Sequence, residues 1–461
     1  MFEKTWGMPY NNFIVYADEL SNGDYILIGR CSLFADAMSP YPPQFYMCRM
    51  DQNGNILWER NYGNPNEWDQ QQTVIKTKNE NYLIAGVSLT ANYFPSLLEL
   101  DPNGNVIFFK VYDADYTGGA LSVAETKDSC FIMACVLGVP QNSPTLIKAD
   151  RNGNEIWRKR QDSLVNYSPE IIRATSDSGF LVVGGAYTYN AYIAKYFSDG
   201  NLQWIKYPYG RNDTVGCTIA GLFTHEDCTF EMPFAEENTT TTFTDTHWKT
   251  FDSNGNQVND NIIISNFALD FNSQFNFGIP DYDMGDSVFI STSNPYAFGT
   301  QWIMEVDKNK NVTYKTRITE PDSSSKFLIN TIRTSDGGYL SVGQMFEPND
   351  DWGRFYVVKF GPDGRYQSDE FLESINAYPN PSADGNMSLT FDMTKDDNVQ
   401  VDIYTSEGKL IYSNSIFCSA NSHTELPVRL YEISANGGMY ILQARTSDAV
   451  IRKKLVVMRQ N

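Results

Sequence analysis

From Phe2 to Phe360 the chain alternates short apolar runs, rich in Val, Ile, Tyr, Phe and Trp, with brief polar interruptions of Asn, Asp, Gly and Pro. Thr73 to Thr77, Tyr82 to Ser88, Ser96 to Leu100 and Val106 to Tyr112 are examples. Runs of roughly five to seven residues, bounded by turn formers and without helical periodicity, predict β-strands. The interruptions themselves repeat. One phrase recurs seven times at intervals of 47 to 55 residues, as Asp51-Gln-Asn-Gly-Asn55, Asp101-Pro-Asn-Gly-Asn105, Asp150-Arg-Asn-Gly-Asn154, Phe197-Ser-Asp-Gly-Asn201, Asp252-Ser-Asn-Gly-Asn256, Asp307-Lys-Asn-Lys-Asn311 and Gly361-Pro-Asp-Gly-Arg365. A second keeps the same beat, from Ser21-Asn-Gly-Asp-Tyr25 through Lys78-Asn-Glu-Asn-Tyr82 and Ser176-Asp-Ser-Gly-Phe180 to Ser335-Asp-Gly-Gly-Tyr339.

Two interleaved turns give two hairpins, and so four strands, per repeat. A period near fifty residues marks a propeller or a solenoid, because each unit has an apolar face that only a neighbouring copy covers. Four antiparallel strands per unit favour the propeller, since solenoid coils are shorter or helical. The expected fold is all-β. A seven-bladed β-propeller with four-stranded blades spans 1–366, a polar linker 367–374, and a small Ig-like β-sandwich 375–461.

The way the ring closes is also predicted. Phe2-Glu-Lys-Thr-Trp-Gly7 is similar to Leu57-Trp-Glu-Arg-Asn-Tyr-Gly63, the strand that follows an Asn-Gly turn. The seventh repeat has three strands, at Phe327 to Thr334, Tyr339 to Gln344 and Phe355 to Phe360, and lacks its fourth. The N-terminal strand is expected to fill that slot, which would otherwise leave an edge open to pairing with other chains.

Asp51, Gly54, Asp101, Gly104, Asp150, Gly153, Asp252 and Gly255 are read as turn residues: Gly adopts positive φ without penalty, and the leading Asp accepts backbone N–H groups further round the turn. They lack the alternating acids and distant Glu of a calcium loop, so no metal is assigned. Trp58, Trp157 and Trp204 each fall three residues after the second Asn. They are expected to pack between blades, with a stacking platform for sugars as the alternative.

Composition narrows the partners. Residues 375–461 carry 8 Lys and Arg against 9 Asp and Glu, which leaves −20 of the net −21 on residues 1–374. So acidic a body repels phosphate backbones and anionic membranes, and nucleic acid is excluded as a partner. No apolar stretch reaches transmembrane length. The seven Cys follow no spacing, and their odd number predicts mostly free thiols with room for one bridge. His225, His247 and His423 have no metal-ligand spacing. The Asp281-Tyr-Asp-Met-Gly-Asp286 stretch reads as exposed loop acids. No catalytic residue and no cofactor is assigned.

After the repeats the phrasing changes to Ile375-Asn-Ala-Tyr-Pro-Asn-Pro-Ser382, Val399-Gln-Val-Asp-Ile-Tyr-Thr-Ser-Glu-Gly-Lys-Leu-Ile-Tyr412, Gly437-Gly-Met-Tyr-Ile-Leu-Gln-Ala-Arg445 and Ile451-Arg-Lys-Lys-Leu-Val-Val457. In order and separation these resemble the type A C-terminal sorting domain of the type IX secretion pathway. The resemblance implies delivery across the outer membrane of a Gram-negative cell, with the secretion machinery as partner and a secreted or cell-surface location. It implies that Pro379, Asn380, Pro381, Gly408, Lys409, Gly438, Tyr440 and Lys454 are recognition or fold-defining positions. Such proteins also carry an N-terminal export signal, which the first residues do not show, so the natural start is expected upstream or removed.

The function expected is an exported binding module for a glycan or protein. Its ligand would sit where the loops Ser32 to Gln44, Ala91 to Pro95, Gly138 to Pro144, Glu236 to Asp245 and Phe346 to Gly353 share one face. The alternative is a secreted carbohydrate-active hydrolase or lyase with acids at the propeller channel.

Overall fold

The computed structural model describes residues 2–7, 12–32, 43–64, 67–89, 92–113, 117–138, 143–161, 164, 167–186, 191–208, 217–219, 221–237, 244–267, 275–276, 287–293, 300–307, 309–319, 325–346, 353–361, 372–393, 396–405, 409–419, 423–430, 437–446 and 450–458. It divides into two compact units, Met1–Arg365 and Tyr366–Asn461. In the first unit the described strands form seven antiparallel sheets. A sheet takes four strands in chain order, as Trp68–Lys76, Tyr82–Leu89, Tyr93–Leu100 and Val106–Val111 do. One sheet adds the short strand Phe223–Thr224 beside Phe230–Glu237. Another joins Ser325–Arg333, Tyr339–Phe346 and Arg354–Phe360 to Phe2–Trp6 from the opposite end of the sequence, with Phe2 opposite Lys359 and Trp6 opposite Phe355.

The repeated turns are built by the residues that repeat. In the Asp51 copy, Asp51 N donates to Asn55 O at 2.9 Å and Gly54 N to Asp51 O at 3.0 Å. Asp51 Oδ1 accepts from the backbone of Asn53 and Asn55, and its Oδ2 from the Asn55 side chain. The Asp101, Asp150 and Asp252 copies repeat this pattern. These bonds stabilise the charged carboxylates, so Asp51, Asp150 and Asp252 lie below the ordinary carboxylate range. Left-handed geometry falls on Gly54, Gly104, Gly153, Gly200 and Gly255, and in the sixth copy on Lys310. A three-residue hairpin with one left-handed residue results.

The same glycines receive the neighbouring sheet. A Cβ at Gly54 would lie 2.7 Å from the Phe2 ring, at Gly104 2.9 Å from Trp58, at Gly153 2.6 Å from Phe108, at Gly200 2.5 Å from Trp157 and at Gly255 2.6 Å from Trp204. Each aromatic belongs to the fourth strand of one sheet, and each glycine to the turn of the next. Tyr62 Oη and Tyr112 Oη add hydrogen bonds of 2.8 Å to the carbonyls of Gly104 and Gly153. Where the turn carries Lys310 instead of Gly, the preceding strand carries Asn259 at the aromatic position. The tryptophans thus pack between sheets, and burying rings of this size stabilises by about 1.5–3 kcal/mol each at most.

The first strand of several sheets contains a one-residue bulge. The looped-out residues are Val15, Gln72, Leu121, Glu170 and Ile329. Gly29, Gly86, Gly184 and Gly343 on the second strands make room: a Cβ there would lie 1.7–2.2 Å from a carbonyl oxygen of the bulged strand. Cys31, Cys48, Cys130, Cys135, Cys228 and Cys418 are free thiols.

In the second unit, Leu372–Tyr378, Asn386–Met393 and His423–Arg429 form one sheet, and Leu410–Cys418, Asp397–Thr405, Gly438–Arg445 and Val450–Val457 another. Period-two alternation turns Val399, Val401 and Ile403 inward, with Leu442 and Leu455, to share a core with Leu389 and Phe391.

Candidate functional site

Three features of the described residues bear on function: a cavity in the first unit, an isolated acid on a bulge, and the edge of the second unit's last strand.

The cavity, of about 420 Å³, lies at the ends of successive first strands, where they enter the second turn phrase; Tyr16, Lys76, Lys78, Glu125, Arg173 and Thr224 line it. Five sheets therefore contribute. Their turns are linked to one another. Lys78 donates its backbone N–H to Glu125 at 2.8 Å and its ammonium to Thr126 O at 2.9 Å, Lys127 donates to Ser176 O, and Thr224 Oγ1 to Ala174 O at 3.0 Å. Lys76 lies 3.0 Å from Asp18 and 2.7 Å from Glu80. Burial opposes its charge, but Glu80 and Asp18 outweigh burial and hold the ammonium above its ordinary value. Tyr82 donates to Asp18 at 2.6 Å, and burial followed by that carboxylate pushes its phenol far up, so it stays a neutral donor. These charges engage one another across sheet boundaries, an arrangement suited to holding a shaped, mixed-charge lining more than to shuttling protons.

Glu170, the bulge residue of Tyr167–Ala174, differs. Its side chain reaches solvent, yet the surrounding protein desolvates the carboxyl and pushes it up to about 7.

In the second unit, the Pro-Asn-Pro segment runs along the edge of Val450–Val457. Asn380 Nδ2 donates to Lys454 O at 2.8 Å, Val456 N donates to Asn380 Oδ1 at 2.9 Å, and Ser382 exchanges 2.8 Å backbone bonds with Val456 and Met458. Pro379 and Pro381, with no N–H to offer, flank Asn380, and both follow cis peptide bonds. The side chain of Asn380 thus pairs an edge that would otherwise be open. Lys454 itself is exposed, opposite Ile441; Tyr440 is buried in the core; Gly438 opens its strand; and Lys409 is exposed, its N–H 3.3 Å from Thr405 Oγ1. Asn380 and the Lys454 backbone are brought together, while the remaining residues are spread over the sheet. Gly408 lies outside the described residues.

The loops expected to carry ligand lie largely outside the described residues, as do Asp281 to Asp286. His247 Nδ1 lies 2.8 Å from Asp260, and His225 3.9 Å from Glu231. Among the described residues no three His, Cys, Asp or Glu side chains are grouped to hold a metal, and no helix is long and apolar enough to cross a membrane. The sequence reading missed the cavity residues and Glu170. Superposing the repeats offered a signal for the former, because Lys76, Glu125 and Thr224 all stand two residues before the second phrase. Nothing in the sequence announces a bulge.

Solved structures similar to this chain include a polysaccharide lyase of family 25, an ulvan lyase (10% identity, 79% of this chain and 98% of that one, TM-score 0.47). The periplasmic gluconolactonase of Pseudomonas aeruginosa (10%, 68% and 86%, 0.44) and the apocarotenoid oxygenase of Synechocystis (11%, 77% and 91%, 0.45) are also similar. Their chemistries differ, and at these scores none is carried over. No curated protein matches the sequence. The second unit is different: residues 376–458 match the family described as the secretion system C-terminal sorting domain. Behind its β-rich N-terminal region the chain therefore carries a type IX secretion sorting domain, and the protein is one that is secreted or held at the cell surface.

Proposed function

We propose that the first unit is a seven-bladed β-propeller closed by its N-terminal strand, and that it works outside the cell as a binding module for a glycan or protein. The domains on this reading are the propeller at 1–366, a linker at 367–374 and an Ig-like sorting sandwich at 375–461. The observation that carries export is the sorting-domain match at 376–458. Closure is supported by contacts between the two ends of the repeat array. Phe2 lies against Gly54, Ala17 N donates to Asn330 Oδ1 at 3.2 Å, and Ser335 donates to Glu19 from its backbone at 2.6 Å and its hydroxyl at 2.8 Å. First strands then face a central channel, and the cavity bounded by five of them is its mouth on the turn side.

Pro379, Asn380, Pro381, Gly408, Lys409, Gly438, Tyr440 and Lys454 are the positions through which the sorting domain keeps its shape or is recognised. Export is tested by deleting 376–458 and following the protein between cell, surface and medium; unchanged delivery would sink that half of the reading. Binding is tested with the full chain on panels of polysaccharides and peptides, where capture by neither would sink the other half. Turnover of a polysaccharide in the same panel would replace the binding module with the hydrolase or lyase.

A further inference from the structure

Each strand of the second unit's larger sheet turns alternate side chains into the shared core and the others outward. In Gly438–Arg445 both sets begin apolar: Tyr440 and Leu442 are buried, while Met439 and Ile441 face outward. A sheet whose outer face meets water should carry polar residues at those two positions. They are not isolated. Leu410, Tyr404, Ile441 and Lys454 stand opposite one another across all four strands, and Met439 stands opposite Val456. Leu410, Met439, Ile441 and Met458 are each between 40% and 50% exposed.

The apolar area is local. Two residues along the same strands the face turns polar, where Asp402 accepts from Ser413 at 2.7 Å, Gln400 at 3.0 Å and Arg445 at 2.6 Å. On the smaller sheet Asn376, Thr390 and Glu425 form an outward polar row, and Tyr378 is its one large exposed apolar side chain among the described residues. The sorting positions gather at the apolar end. Lys454 belongs to the row itself, Lys409 precedes Leu410, and Gly438 precedes Met439. Pro379-Asn380-Pro381 runs along the adjoining edge, held by Asn380 to Lys454 and Val456. Tyr440, between Met439 and Ile441, is buried beneath. Residues singled out by sequence resemblance and residues singled out by exposure thus converge on one surface.

We infer that this apolar end of the outer face, centred on Ile441 and rimmed by Lys409 and Lys454, is the surface by which the secretion machinery takes hold of the protein. This rests on the sorting-domain reading and names the face and the chemistry of the partner: an apolar surface bearing carboxylates that meet the two ammonium groups. Removing the exposed aliphatic side chains from water supplies the adhesion. The two lysines, exposed at the rim, fix orientation more than they add affinity.

The test follows the full chain in a cell that has the type IX pathway, as the ratio of protein delivered outside to protein retained. Ile441→Glu is expected to cut delivery about tenfold or more, because it buries an unpaired carboxylate in the contact. Ile441→Val is expected to be delivered as wild type, and so is Thr390→Lys on the outer face of the smaller sheet. Melting of the second unit within about 2 °C of wild type shows that Ile441→Glu folds. If it melts lower, Ile441→Thr, which keeps a β-branched side chain in the strand, is read in its place. Wild-type delivery of the folded Ile441 variant overturns the inference, as does an equal loss in Thr390→Lys. Sedimentation of the purified full chain asks whether the patch joins two copies instead, and a dimer dispersed by Ile441→Glu overturns the assignment of the partner. Unchanged delivery after deletion of 376–458 overturns the sorting reading itself, whereas delivery blocked by the deletion but not by Ile441→Glu overturns this face alone.

Discussion

Gly23 and Gly200 have nearly the same backbone, φ +83° and +80°, and different surroundings. A Cβ at Gly23 meets only Gln52 Oε1 at 3.7 Å, whereas one at Gly200 lies 2.5, 2.8 and 3.0 Å from three atoms of the Trp157 ring. Gly23→Ala therefore isolates the conformational penalty of the left-handed region, about 1 kcal/mol. Gly200→Ala adds overpacking of about 1–3 kcal/mol, for a total of about 2–4 kcal/mol. At about 2.1 cal/mol/K of melting entropy per residue, 1 kcal/mol in a unit of this length is worth about 1.3 °C. Calorimetry of the full chain, read at the first unit's transition, should show a fall of about 1 °C for Gly23→Ala and about 3–5 °C for Gly200→Ala. In a Trp157→Ala background the cost of Gly200→Ala should drop to about 1 kcal/mol, because the two substitutions share one contact. Equal shifts for the two glycines, or an undiminished cost in that background, would refute the idea that the turns are seats for the neighbouring sheet.

Asn380→Ala removes both side-chain bonds to the last strand, at about 0.5–1.5 kcal/mol each, and should lower the second unit's melting by about 4 °C or more; an unchanged transition would show that the segment does not brace that edge. Acid should act through Asp128 and Asp336. Burial opposes their ionisation, but hydrogen bonds from Lys148 and Thr126, and from Thr334 and Lys359, outweigh it and hold both carboxyls down at about 2. Their folded pKa is depressed, so this stabilisation is present above about pH 4 and is lost as pH falls towards 2. Both side chains are largely exposed, so the effect shrinks in high salt. Melting temperature followed from pH 5 to pH 2 should fall less steeply in Asp128→Asn than in wild type, and parallel curves would count against the assignment.

The strands were legible because their interruptions are chemical necessities: a left-handed residue and an Asp that gathers backbone donors recur wherever the chain reverses. The N-terminal strand was legible because Phe2 stands in register with Trp58 once Gly7 and Gly63 are aligned. Other elements were hidden for physical reasons. Glu80, Ser129, Ser178 and Cys228 take positive φ in the second turn without being Gly, so residue type gave no sign of it. The bulge at Glu170 shifts alternation by one residue, which in a short strand looks like ordinary irregularity. The cavity gathers side chains from five sheets, and no local pattern spans that separation. Pro-Asn-Pro was readable as an extended segment that blocks pairing, but its partner, the strand Val450–Val457, lies some seventy residues away. Asn259 and Lys310 depart together from the aromatic and glycine of the other repeats, a correlation that acquires meaning only once the aromatic and glycine of those repeats are seen to meet.

Closure of the repeats by the first strand is the central claim, and one photocrosslink tests it. Phe2 replaced by p-benzoylphenylalanine places a photoreactive ring at the seat formed by the turn Asp51 to Asn55. Irradiation of dilute full-length protein followed by peptide mapping should join residue 2 to that turn within a single chain. Crosslinks that form only between chains, or that never reach the first repeat, would contradict the closed ring.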